Sequence, residues 1–164
     1  MLLLTSTSDL LRLITSSTAN IEVHASWVDN ASGAITPGRT NTEITTATTT
    51  TVVGSPGAST QRTVKRMVVR NAHASTQNDI TVVHTDGTTV VDIYKCTLAA
   101  GEVLQFDETG FKRFNASGIE LAGSNTGAAD IQIFNGAGGT WTKPTTFTPK
   151  VVIVEIIGGG GGGG

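Results

Sequence analysis

The chain has 164 residues, 38% hydrophobic and only 15% charged, with 13 acidic against 11 basic residues and a formal net charge of −2. That supplies a modest core for one domain and argues against a nucleic-acid binder, which carries a basic face. Low charge with 20 glycines and abundant threonine favours an all-β chain that works inside an assembly rather than a freely diffusing enzyme.

Helical periodicity is nearly absent. The opening residues, MLLLTSTSDLLRLIT, are apolar, but Ser and Asp interrupt them and no basic segment precedes them. They do not read as a signal peptide. No stretch reaches the roughly 18 apolar residues of a membrane span. The expectation is a soluble protein made in a cytoplasm, with no membrane insertion. Asp9 could cap one helical turn over Leu10, Leu11 and Leu13, but a hairpin is the preferred reading. Its arms are Leu2 to Thr5 and Leu10 to Thr15, with a turn at Ser6 to Asp9.

IEVHASWV alternates cleanly. Ile21, Val23, Ala25 and Trp27 face one way, and Glu22, His24 and Ser26 the other. Asp29 to Gly33 reads as a turn. The threonine-rich run Thr36 to Thr60 reads as one or two edge strands and a long loop, broken at Gly54 to Gly57. RTVKRMVVRN is a firm strand, and strict alternation sets Val64, Arg66 and Val68 against Lys65, Met67 and Val69. The same alternation puts Arg62, Arg66 and Arg70 on one face. Such a stripe suits a phosphate, though a solvated strand face is the plainer reading.

Residues 71–79 form a polar turn. Asp86-Gly87 is the strongest hairpin signal in the chain, between DITVVHT and TTVVDIYKCTL. A turn at Ala99 to Gly101 leads into another strand, and GFKRFNASGIELAGS gives two short ones. Strands at this spacing predict an all-β, antiparallel, jelly-roll-like β-sandwich. After Gly123 the texture turns small and polar around Asp130 to Phe134. Residues 1–135 are expected to form the sandwich domain. Residues 136–164 are expected to form a short C-terminal β and polyglycine extension, beyond a flexible joint at Gly136 to Gly139.

Catalytic patterns are missing from the sequence. His24, His73 and His84 are dispersed, and no spacing matches a metal or EF-hand motif. Cys96 reads as a small core thiol. No GxSxG elbow occurs, and Asp107 and Glu108 are adjacent in a turn, where their side chains diverge. The terminal glycines lack the lysine and the helix of a phosphate loop. The expectations are therefore no enzyme, no cofactor and no metal. A carbohydrate-active or receptor-cleaving enzyme domain is the remotest reading, because its active constellation is missing from the sequence.

The last 27 residues are GGTWTKPTTFTPKVVIVEIIGGGGGGG. Gly158, Gly159, Gly160, Gly161, Gly162, Gly163 and Gly164 have no side chains to bury. They order only where several backbones pack closely, as in polyglycine arrays. A G-T-W-T-x-P motif that leads through a V-x-V strand into polyglycine resembles the glycine-rich segment of bacteriophage tail-fibre and related virion proteins. RTVKRMVVRN through GFKRFNASG is similar to small phage structural β-domains.

The resemblance implies a virion structural protein, a fibre or spike subunit. Its sandwich docks on other virion proteins of the tail, neck or capsid, and its glycine-rich segment projects toward the host. It also implies self-association, as a homotrimer, and a distal contact with a host surface receptor. A head decoration, collar or neck protein is the alternative. Leu2, Leu3 and Leu4 form the candidate docking strand, since an apolar strand can add to a neighbour's sheet. Trp141 and Phe147, with residues 29–38 and 71–79, are the candidates for recognition. The plainer reading packs Trp141 against Val152 and Val154.

Overall fold

The computed structural model describes residues 1–121, all within one compact unit, Met1–Ala122. They form eleven strands: β1 (Leu2–Leu4), β2 (Leu10–Thr15), β3 (Ile21–Ala31), β4 (Ala34–Ile44), β5 (Thr49–Val53), β6 (Thr60–Asn71), β7 (Asn78–Thr85), β8 (Val90–Leu98), β9 (Val103–Asp107), β10 (Gly110–Phe114) and β11 (Glu120–Leu121). One sheet runs β11-β10-β9-β6-β3-β4, with β1 added on β6. The other runs β5-β2-β7-β8. All the pairings are antiparallel. Leu11, Leu13, Ile80 and Val82 of one sheet and Val23, Val64, Met67 and Leu104 of the other fill an aliphatic core. This is the antiparallel β-sandwich that composition and alternation predict. The expected boundary near residues 136–139 lies outside the described residues.

β1 and β2 do not form the predicted hairpin. β1 pairs with β6, Leu2 to Val64 and Leu4 to Arg62, while β2 enters the other sheet. The reason is Asp9. Its carboxylate accepts the N–H groups of Thr5 at 2.6 Å and Ser6 at 3.1 Å, and the Ser6 hydroxyl at 2.9 Å. The chain is thereby turned across the core. Leu4 and Leu11 are then both fully buried from opposite sides.

β3 and β4 are longer than alternation suggested. Asp29, Asn30 and Ala31 stay in the ladder because β4 pairs on one side and β6 on the other, with Ala31 opposite Ala34 and Thr60. The turn narrows to Ser32-Gly33, both at positive φ (52° and 90°), the primed geometry that suits two-residue hairpins. Residues 29–38 are therefore mostly the far half of a hairpin, not a loop. Pro37 is accommodated because β4 is an edge strand. The predicted break at Gly54 to Gly57 does separate β5 from β6.

β6 carries a bulge. Ser26 lies opposite Arg66 and Trp27 opposite Val64, which leaves Lys65 unpaired. Val64, Met67 and Val69 are consequently all buried on one side, against the strict alternation expected. The arginine stripe is broken as well. Arg66 and Arg70 face solvent, while Arg62 turns inward with a side chain 13% exposed. The Asp86-Gly87 hairpin forms between β7 and β8 as predicted. Gly87 takes φ 93°, and the Asp86 carboxylate accepts the N–H groups of Thr88 and Thr89.

Candidate functional site

β1 is the sequence-predicted docking strand, and its three leucines have different environments. Leu4 is fully buried, Leu2 packs half-buried on the core, and Leu3 is 45% exposed on the outer face. The strand uses only one of its edges. β9 occupies the same edge of β6 further along, at Met67 to Arg70. No strand among the described residues pairs with the outer edge of β1.

Behind β1 the site is fixed by charge. Arg62, opposite Leu4, donates through Nε and Nη2 to the two carboxylate oxygens of Asp29, each at 2.7 Å. Its Nη1 donates to the Gly54 carbonyl at 2.9 Å. Its guanidinium lies 4.4 Å from the centre of the Trp27 ring. Fork-to-fork geometry and stacking are what arginine, not lysine, provides. The Arg62 hydrogen bond, against the opposing effect of burial, holds the Asp29 carboxyl below its ordinary range. Trp27, on the same face of β3 as Ile21, Val23 and Ala25, is half-buried at the rim of the core and takes part in this cluster.

In front of the cluster, on the outer face, Leu3 is opposite Thr63, Thr63 opposite Val28, and Val28 opposite Pro37. One cross-strand row therefore spans four strands, with Leu3, Val28 and Pro37 as its apolar members and Thr63 between Leu3 and Val28. Ile35, 62% exposed, and Met1, 71% exposed, extend this apolar strip. Beside the strip, Thr5, Asn30, Ser32, Gly33, Ser59, Thr60 and Gln61 line an open polar depression of about 430 Å³. A flat apolar strip next to an open strand edge suits protein contact better than capture of a small molecule. Alternation around Trp27 could have suggested the strip. The register that aligns its members requires the partners of β3 and β6.

The other candidates are held mainly by local hydrogen bonds. The loop at residues 71–79 is tied from within. Asn71, fully buried, donates to the carbonyls of Thr76 and Leu98 and accepts from His73 N–H. Asn78, 1% exposed, accepts from Ser16 and Ser17 and donates to Ser17 and Ala19. His24 shares a hydrogen bond with Asn41, and His73 Nδ1 accepts from Ser75 and Thr76. Burial pushes the Cys96 thiol up, which makes it a poor nucleophile. Asp107 bonds the Thr109 hydroxyl and N–H and is held down to about 2 as a turn brace.

Among the described residues no cluster of three or more His, Cys, Asp or Glu could hold a metal. Nor does any helix among them have the length and apolarity to cross a membrane. Trp141, Phe147 and Gly158 to Gly164 lie outside the described residues. Compared with protein-family models, curated proteins and solved structures, the chain matches none.

Proposed function

We propose that the chain is a structural subunit of a bacteriophage particle. It acts as a fibre or spike subunit that holds to the particle through its sandwich and carries its glycine-rich segment toward the host. The observation that supports this most is the apolar strip of Leu3, Val28, Pro37 and Ile35 beside the open edge of β1. Such a surface receives a neighbour's strand or sheet. The resemblance of the terminal glycine-rich segment to fibre proteins supplies the kind of assembly.

The test images particles labelled with a gold-tagged antibody against the C-terminal segment, its accessibility checked on the isolated protein. Label on thin projections from the tail or neck is the expected result. Label spread over the head favours the decoration reading, and particles without label overturn both.

A further inference from the structure

We propose that two copies of this chain associate through β4, edge to edge and antiparallel, about a two-fold axis at Asn41. β4 closes one end of its sheet, and no strand among the described residues uses its outer edge. Along it Arg39, Asn41 and Glu43 are exposed on the outer face, while Thr40 and Thr42 turn inward. Arg39 has no hydrogen-bonded or ionic partner among the described residues. Glu43 uses one oxygen to accept from Asn20 Nδ2 at 2.8 Å.

The charge pattern is self-complementary in one register. With the axis at Asn41, Arg39 of each copy lies opposite Glu43 of the other, and the two Asn41 side chains meet. Thr40 lies opposite Thr42 on the inner face. Opposite charges and threonine pairs placed directly across antiparallel strands are favourable. The competing registers are not. Parallel pairing in register sets Arg39 on Arg39 and Glu43 on Glu43, and an axis moved to either residue stacks that like charge on itself.

The ladder runs from Gly38 to Ile44 and stops short of Pro37, which has no N–H to contribute. The charges that blunt this edge against indiscriminate strand addition therefore admit a second copy of the chain. A two-fold interface of this kind is isologous and closes as a pair. The apolar strip reaches β4 at Ile35 and Pro37, just before this ladder begins, but the pairing uses none of the strip's residues and does not rest on the function proposed above.

Sedimentation of the full chain tests this. A concentration-dependent dimer is expected. Glu43→Arg and Arg39→Glu should each weaken association on the order of tenfold, since each turns two attractions into two repulsions. The double variant R39E/E43R restores the complementarity and should recover the dimer. Both positions are exposed, and circular dichroism checks that each variant is folded. In a Cys96→Ser background, Asn41→Cys should give a reducible cross-linked dimer on oxidation. A chain that stays monomeric, or that forms a trimer, overturns the proposal. So does a dimer that ignores the single reversals, or one that folded R39E/E43R fails to recover.

Discussion

Trp27 lies directly over Gly38 on the neighbouring strand. A Cβ built on Gly38 would sit 2.5 Å from the indole Nε1 and 2.6 Å from Cε2. The two residues are register partners, so glycine here makes room for a ring across the sheet. Arg62 stacks on that ring and limits its escape. Gly38→Ala is expected to destabilise the sandwich by about 1–3 kcal/mol through overpacking, partly offset by the lower chain entropy of alanine. Urea unfolding checks this. A loss near zero would mean that the indole swings aside freely.

Asp29 links the same cluster to pH. Its folded pKa lies below the ordinary 3.8, chiefly through the Arg62 hydrogen bond. A depressed carboxylate contributes stability above its unfolded pKa, and that contribution is lost as pH falls through the folded value. Asp29→Asn is expected to cost about 1–2 kcal/mol at neutral pH, for a half-buried pair. The gap to the native chain should shrink once the pH drops below about 4. Denaturation midpoints across pH 2–7 measure it, and a gap that does not depend on pH would refute the assignment.

The leucines of β1 should separate by burial. Leu4→Ala empties a fully buried site and is expected to cost about 2–5 kcal/mol. Leu3→Asp, on the exposed strip, should leave the unfolding midpoint within about 0.5 kcal/mol of native. It should also reduce incorporation into particles. Quantifying the protein on purified particles, beside an unfolding curve, tells the two effects apart.

Asn71→Ala removes an amide that satisfies the buried carbonyl of Leu98 and the Thr76 carbonyl together. The expected loss is about 2–3 kcal/mol, with faster amide exchange over residues 71–79. Exchange that speeds up everywhere equally would point to global loosening instead of release of this loop.

What the sequence made legible was local. The alternation of Ile21 to Trp27, the Asp86-Gly87 turn and the break after Val53 are each set by side chains within a few residues, and all three stand in the fold. What it hid depends on partners distant along the chain. Nothing near Leu2 to Leu4 says that their partner is Arg62 to Val64. Nothing around Lys65 marks a bulge, which arises because β3 offers one residue fewer than β6. That one extra residue moved Arg62 from the solvent face to the Trp27–Asp29 cluster. The strand at Leu2 to Leu4 was therefore legible at the right residues but with the wrong partner, β2 in place of β6, and the apolar strip became visible only with the register.

The pairing of β1 with β6 also sets an order of events at the ribosome. Leu4 meets Arg62, roughly sixty positions downstream, and pairings so distant form slowly. During synthesis the Asp9 turn has its partners as soon as it emerges, because Thr5 and Ser6 are local. The apolar LLL strand must stay without a ladder until β6 has been translated. Before that point it is a nascent segment suited to a chaperone, or to the same strand on a neighbouring polysome chain. Translation speed between residues 10 and 64 should therefore influence how much protein reaches the folded state.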